Sequence, residues 1–419
     1  MKIAFIVNEF PSLSQVFVLN QITGMLDRGH DVDIFAIHAT SNLKIHEDIK
    51  RYNLLEHVIY PRIPQNKIYR FFKGMSYLVK FITKYPLPLL RSLNIFKYGR
   101  DAANLSLLYQ IIPFLEKGPY DIIHCQFGVL GLYGLRLKQI TASTGKLVVS
   151  FRGYDATWYV HQRPNIYREL FREGDFFLPV CQFLRERIIQ EGCNENKIIV
   201  LPSGIDCEKF KYSRRKRLEG EPTRVLTIAR LVEKKGISYA IEAIARLIKS
   251  GRCVNYVVVG DGELRGDLER LIENLGMTTH VQLLGWRNQD EAIRLMQGSH
   301  ILVAPSVTAT NGDQEGIPNV LKEAMALGLP IISTDHGGIP ELVEDGVSGF
   351  LVKERDVDSF TTRLSYLIDY PEIWPEMGRA GNACVQKYYD INKLNDQLVN
   401  LYDRLLQGII EDPTIETVG

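Results

Sequence analysis

The chain begins MKIAFIVNEFPSLSQVFVLNQITGMLDRGHDVDIFAI (residues 1–37), and its architecture follows from how these residues alternate. Lys2–Val7 is an unbroken apolar run of strand length, which suits a strand buried on both faces. Asn8–Ser14 is a polar loop containing Pro11. Ser14–Asp27 then carries apolar residues at 16, 18, 19, 22, 25 and 26, the spacing of one helical face. Gly29 stops that helix, and Val32–Ile37 reads as a second strand. The result is a βαβ unit, the building block of a parallel sheet covered by helices.

Similar units follow outward from this one. Tyr120–His124, Lys146–Ser150, Phe176–Val180 and Ile198–Leu201 read as strands. Pro202–Pro222, with Gly204, Gly220 and a basic run at 214–217, reads as a connection between domains. A second series starts at Arg224. Strands are expected at Val225–Ala229, Asn255–Val259, Val281–Leu284, Ile301–Ala304 and Pro330–Ser333, and helices at Ile237–Lys249, Leu264–Leu275, Gln289–Met296 and Asn319–Leu327. This predicts two α/β, Rossmann-like domains, 1–203 and 204–390. A helical tail, 391–419, could pack on either. Ligands of such folds sit at the carboxyl ends of the strands, so a cleft between the domains is the expected site.

Lysine plus arginine number 50 against 49 acids, a formal net charge of +1; 45% of residues are apolar and 24% charged. That ordinary globular mix excludes a disordered chain, a fibrous repeat and a multi-span membrane protein. A polyanion binder would carry a larger cationic excess, so no nucleic acid is expected as a partner. The run Ile3–Val7 is too short for a signal-peptide core, and no stretch reaches the roughly 20 apolar residues of a membrane span. A cytoplasmic protein starting at Met1 is the expectation. The six cysteines form no C-x-x-C pair and no zinc-spaced cluster, and no metal site is expected. One segment is unusual: His57 to Arg100 holds nine Lys/Arg, interleaved aromatics and no Asp or Glu. Either it is a peripheral contact with an anionic membrane surface, or a basic insertion that packs its aromatics inward.

The densest cluster of special residues is APSVTATNGDQEGIPNVLKEAMALGLPIISTDHGGIPEL (304–342). A strand ends at Ala304, a glycine-bearing loop follows, and a helix starts near Asn319. Free N–H groups at a helix start suit a phosphate. Glu315 and Glu323 would repel that phosphate, so they are expected to face neutral hydroxyls. Ala229–Gly236 (ARLVEKKG) puts cations just before a helix start, a conflict that a phosphate would relieve. Glycine loops at Val259–Gly262 and Leu284–Trp286 also follow strands. No G-x-G-x-x-G follows the first strand, and G-x-x-x-x-G-K-[ST] and G-x-S-x-G are absent, which argues against a dinucleotide oxidoreductase, a P-loop nucleotidase and a serine hydrolase.

Together these motifs resemble the retaining glycosyltransferases of family 4 (glycosyltransferase group 1), which have the two-domain GT-B fold. The resemblance spans essentially the whole chain and is most specific at DQEGIPNVLKEAMALGLP (313–330), TDHGGIPELV (334–343) and ARLVEKKG (229–236). FPSLSQVFVLNQ (10–21) is similar to the F-P-x-x-S-E-T-F opening of exopolysaccharide and colanic-acid-type members, departing at Gln15 and Val16. The resemblance implies that 1–203 binds the acceptor, that 204–390 binds the donor, that the closing helix in 391–419 crosses back to the N-terminal domain, and that Arg230 and Lys235 grip the diphosphate of a nucleotide-sugar donor. It implies that Glu323 binds the ribose and that Glu315 contacts the donor sugar. Gly316, Ile317, Asn319 and Val320 would line the same pocket, with Gly260, Gly262, Trp286 and Arg287 bordering the base. Where many members have His-Gly, this chain has Arg152-Gly153. Arginine stays protonated and cannot be a base, but as a catalytic candidate Arg152 could stabilise the donor phosphate or an acceptor anion. His124, at the end of a strand, is expected to point to the cleft, or else to be a core histidine.

The implied reaction is transfer from a nucleotide-diphosphate sugar, by default a UDP sugar, to a glycan or lipid-linked acceptor, with retention and without a metal or other cofactor. Rival readings are a GT-B shell that binds without transfer, and an epimerase or phosphorylase on the same fold.

Overall fold

The computed structural model describes residues 1–12, 15–40 and 46–409. Its twelve strands form two parallel sheets. The first holds β1 (Lys2–Phe10), β2 (Asp31–Ala39), β3 (Val58–Ile59), β4 (Ile122–Cys125), β5 (Lys146–Phe151) and β6 (Phe176–Pro179) in the order β3-β2-β1-β4-β5-β6. The second holds β7 (Thr223–Ile228), β8 (Val254–Val259), β9 (Val281–Gly285), β10 (Ile301–Ala304), β11 (Ile331–Thr334) and β12 (Gly349–Val352) in the order β12-β11-β10-β7-β8-β9. Counted within each half, both sheets have the doubly wound order 3-2-1-4-5-6. Each therefore reverses direction once: between β1 and β4 in the first sheet, and between β7 and β10 in the second.

Ile3, Ala4, Phe5, Ile6 and Val7 are all fully buried, which is why the strand lacks polar alternation. The helix Val16–Asp27 covers one face of this sheet. Against it lies the tail helix, Ile391–Gln407, whose Leu394, Leu398, Leu401, Tyr402 and Leu405 share a core with Ile3, Phe5 and Val7. Arg28 and Asp396 pair at 2.7 Å across these two helices. A Cβ at Gly24 would fall 1.9 Å from Asn395 Nδ2, so glycine there leaves room for the Asn395 side chain between the helices. The tail thus returns from the second half of the chain to the first sheet.

Three expectations change. Ile198–Leu201 is extended but is not a strand: Ile198 bridges only to Phe177, and two N–H bonds to Phe177 and Pro179 carry the chain past the edge of β6. β3 and β12 extend the two sheets beyond the strands expected. The first helix begins at Val16; Ser14, where its start was expected, lies outside the described residues, as do 410–419 of the tail. The basic segment folds as three helices, Lys67–Phe81, Pro86–Ser92 and Ile95–Ala103. Among the described residues no helix is long and apolar enough to cross a membrane.

Candidate functional site

At the direction change of the second sheet, the loops after β7 and β10 meet. Gly236 adopts φ +59°, and a Cβ there would lie 1.9 Å from the Pro305 carbonyl oxygen, so only glycine lets the loops approach this closely. Val307 N–H donates to the Lys234 carbonyl at 2.9 Å, tying the loops together. The Lys234 ammonium then lies 3.0 Å from Asp313 and 3.4 Å from Glu315, and Lys235 lies 3.0 Å from Glu315. Burial pushes the Glu315 carboxyl up, but Lys235 and Lys234 outweigh it and hold it down at about 2. Glu315 is therefore a fixed carboxylate, and its Oε1 receives no aligned hydrogen bond. Arg230 is exposed, with no hydrogen bond or ion pair from its side chain among the described residues.

The Glu315 loop is held from behind. Glu315 N–H donates to His336 Nε2 at 3.0 Å, and His336 Nδ1 lies 2.6 Å from Glu354. Because Nε2 accepts, the ring proton sits on Nδ1 and points to the carboxylate. Glu354 also accepts from Thr308 N–H and its hydroxyl, at 2.8 and 3.0 Å. Burial raises the Glu354 carboxyl, but the Thr308 N–H and His336 bonds bring it below its ordinary value.

The loop runs into the helix Asn319–Ala326, whose N-cap position is Pro318 and which has no side-chain cap. The N–H groups of Gly316, Ile317, Asn319 and Val320 donate to no protein acceptor among the described residues. Such a row of free donors at a helix start is an anion cradle. One turn along, Glu323 lines a small crevice with Asn319, Gly204, Asp206, Phe17 and Asn20. Burial pushes its carboxyl up to about 7, opposed by Lys322. Lys322 is itself buried and donates to the Ser203 carbonyl at 2.6 Å and to Asn319 Oδ1 at 3.0 Å.

The glycine loops complete this side. A Cβ at Gly260 or Gly262 would sit 1.8 Å from the Ala229 or 2.5 Å from the Leu231 carbonyl oxygen, so the Val259–Gly262 loop presses against the Arg230 segment. Gly260 N–H donates to the Gly285 carbonyl at 3.0 Å, bringing in Trp286, 45% exposed, and Arg287.

On the first sheet, Arg152 follows β5 and leans across the direction change. Its guanidinium donates to the Gln126 carbonyl, Ser203 Oγ, Gln21 Oε1 and Gln126 Oε1 at 3.2, 2.7, 3.2 and 2.5 Å, and lies over the Phe17 ring at 4.3 Å. Every one of these partners is neutral, and burial brings the group down to about 9. Asp155 accepts instead from the backbone N–H groups of Gly128, Arg152 and Gly153. Arg152 is thus a caged positive charge. A Cβ at Gly316 would lie 3.2 Å from the Arg152 carbonyl oxygen, so the two halves touch beside Glu315.

His124 does not reach the cleft, which corrects the sequence expectation. It is fully buried between β4 and the tail helix, with Nδ1 2.6 Å from the Tyr402 hydroxyl and Nε2 2.8 Å from Ser150 Oγ. Burial lowers its pKa to about 3, so it is a neutral core histidine. Conversely, sequence reasoning assigned no role to Lys234, His336 or Glu354. The first two stand inside motifs already singled out; Glu354 carries no local signal, since it reaches the loop only through β12.

Residues 208–383 match the family model of glycosyl transferases group 1, and residues 14–209 match that of glycosyltransferase family 4. The chain is 35% identical over 410 residues to the amylovoran biosynthesis glycosyltransferase AmsK of Erwinia amylovora, covering 97% of this chain and 100% of that protein. It is 33% identical over 411 residues to WcaL of Salmonella typhimurium, named for colanic acid biosynthesis, covering 96% and 99%. HepE of Anabaena, solved in complex with UDP and glucose, shares the fold with a TM-score of 0.73 at 19% identity, over 96% of this chain and 99% of its own. Sucrose-phosphate synthase of Thermosynechococcus elongatus does so with a TM-score of 0.74 at 16% identity, over 97% and 100%. Two doubly wound sheets, two family models that together match residues 14–383, and full-length similarity to AmsK make this protein a GT-B glycosyltransferase of family 4 (group 1), of the exopolysaccharide and colanic-acid type.

Proposed function

We propose that the protein transfers a sugar from a nucleoside diphosphate sugar, UDP-linked in the first instance, to a glycan or lipid-linked acceptor during assembly of an extracellular polysaccharide, on the cytoplasmic side of the cell. The observation that carries this is the second sheet's direction change, where the loop after β7 bears an unpaired Arg230 and a carboxylate clamped by two lysines leads into the free N–H groups from Gly316 to Val320. The names of AmsK and WcaL support the polysaccharide setting, and the UDP bound to HepE supports the donor class.

In this reading the diphosphate lies on the helix start, and Arg230 closes over it. Lys235 exchanges its contact with Glu315 for the phosphate, while Lys234 keeps Glu315 ionised. Glu315 accepts hydrogen bonds from donor-sugar hydroxyls, and Glu323 accepts from the ribose. Trp286 and Arg287 border the base. The bond between the anomeric carbon and the β-phosphate oxygen breaks, its electron pair going to that oxygen. The acceptor oxygen bonds to the same face of the anomeric carbon, giving retention, and its proton passes to the departing phosphate oxygen. Charge growing on the diphosphate meets Arg230, Lys235 and the helix start, and Arg152 contributes a fixed field from the opposite wall. On this account the protein's own cations carry the leaving group and no divalent ion is required.

The test is nucleotide release from UDP and GDP sugars in the presence of EDTA and an acceptor extract, with the anomeric configuration of the product read by NMR. Turnover in EDTA with a retained configuration is expected. A strict metal requirement, or an inverted product, overturns the mechanism. Epimerised donor without transfer overturns the function.

A further inference from the structure

The basic segment presents a surface that the donor cleft does not use. In the helix Lys67–Phe81, Gly74, Tyr77 and Phe81 face inward: Tyr109 Oη donates to the Arg70 carbonyl at 2.6 Å, and a Cβ at Gly74 would lie 2.8 Å from Leu105 Cδ1. The opposite face carries Ile68, Phe72, Met75 and Val79, spaced i, i+4, i+7, i+11. These are 71%, 68%, 41% and 75% exposed. The stripe continues through Ile82 to Leu87 and Leu90 of the next helix and to Phe96, which is wholly exposed. Beside it stand Arg62, Lys67, Lys73, Lys80, Lys84, Arg91, Lys97 and Arg100, while Arg70 falls on the inward row with Gly74, and none of these cations is in an ion pair among the described residues. Aromatics of the segment thus point both ways: Phe81 packs inward, while Phe71, Phe72 and Phe96 do not.

We propose that this face is a binding surface for an anionic lipid bilayer, with Ile68, Phe72, Val79 and Phe96 entering the acyl boundary and the flanking cations meeting the headgroups. Three observations select that partner. An apolar stripe bordered by lysine and arginine is the pattern of a helix lying in the membrane plane. The absence of any acid from His57 to Arg100 gives charge complementarity to anionic headgroups. A second copy seated face to face would set these cations against one another with no carboxylate in the segment to pair them. The surface is also placed to serve the cleft. Tyr60, in the loop leading into the Lys67 helix, donates its hydroxyl to the carbonyl of Phe10, the last residue of β1. The loop leading into that helix is therefore anchored at the carboxyl end of the first sheet, on the wall opposite the donor loops in the transfer reading proposed above. The surface itself does not depend on that reading.

The experiment uses the full chain and vesicles of phosphatidylcholine, alone or mixed with phosphatidylglycerol. Sedimentation with the mixed vesicles, released by raising the salt, is expected, with little binding to phosphatidylcholine alone. Neutralising Lys73 and Lys80 (Lys73→Gln, Lys80→Gln) is expected to lower partitioning by on the order of tenfold. The pair Phe72→Ser and Val79→Ser is expected to abolish it, with circular dichroism and nucleotide-induced thermal shift unchanged. A Phe72→Trp protein should gain a blue-shifted emission, quenched by brominated acyl chains, only with anionic vesicles. Absence of partitioning, partitioning unaffected by salt and by both pairs of substitutions, or a concentration-dependent dimer dissolved by Phe72→Ser and Val79→Ser, each overturns the proposal. Loss of vesicle binding with intact turnover on a soluble acceptor, and the converse, separate this surface from the transfer reaction.

Discussion

Arg152 and Arg230 border the cleft from opposite sheets, and they are held in opposite ways. Arg152 has its guanidinium spent on Gln21, Gln126 and Ser203 and sits against Phe17, so it cannot swing. Arg230 is exposed on the lip of the second sheet and has no protein partner among the described residues. A caged cation contributes a constant field, while a free one must order itself on a ligand. The first half is thus built ready, and the second half is completed by what binds.

The sharpest way to break that comparison is on the second side. The Arg230→Ala/Lys235→Ala double substitution is expected to lower kcat/KM by roughly 10³-fold or more, as loss of transition-state charge stabilisation does. Steady-state nucleotide release checks this, and full activity would refute the gripping role. Calorimetry separates the two residues. Arg230→Ala should leave Tm unchanged, whereas Lys235→Ala takes away a neighbour of Glu315 and should destabilise by about 2 kcal/mol.

On the first side the balance reverses. Arg152→Met takes the guanidinium away from the two oxygens of Gln126 and from Ser203 Oγ, while Gln21 Oε1 keeps the Gln126 amide as donor, a loss of about 2 kcal/mol by calorimetry. Turnover should fall by only about tenfold, since the substitution removes a field and not a contact. An unchanged Tm would mean that the cage does not hold the arginine.

Between the two arginines lies the Glu354–His336–Glu315 relay, whose loss should be smaller still. Glu354→Gln keeps an oxygen for Thr308 but gives up the charge facing His336. We expect kcat to drop a few-fold, with about 1 kcal/mol of stability lost at neutral pH. The folded protein holds this carboxyl below its ordinary value of 4.5. Its contribution is therefore present above pH 4.5 and lost as the pH falls below it. In Glu354→Gln that part of the acid-side decline in Tm should vanish.

Sequence and structure agree where burial is two-sided. Ile3–Val7 announces itself because every residue faces a core, and the Asn319 helix because Pro318 and a glycine loop mark its start. β3 was illegible since two residues, Val58 and Ile59, show no periodicity. Ile198–Leu201 has strand-like composition, yet its apolar side chains are buried by neighbours and not by a ladder. The cluster of Arg230, Lys235, Glu315 and Glu323 could be read because loops after parallel strands gather by rule at one end of a sheet. Which partner each side chain takes could not. Arg152's cage draws on residues 21, 126 and 203, contacts made across long separations that no local pattern encodes.

His124 tests that last distinction with the least expected effect on turnover. It stands at the end of a strand that leads to the cleft, yet Tyr402 of the tail helix and Ser150 of β5 occupy both ring nitrogens. A group in the reaction would govern rate; a group in the core governs only folding. His124→Gln keeps one donor and one acceptor for these hydroxyls, so turnover at neutral pH should stay within about twofold, under ~0.5 kcal/mol of barrier. Its stability signature should change instead. The histidine is held neutral in the folded chain, its pKa lowered from 6.5 to about 3, so an unfolded chain binds a proton that the folded one refuses. Its stabilisation is complete above pH 6.5 and declines as the pH falls towards 3. Glutamine has no such proton to take up, so the Tm of the variant should decline less steeply than that of the parent between pH 6.5 and 5. A steep loss of turnover with an unaltered Tm profile would return His124 to the chemistry.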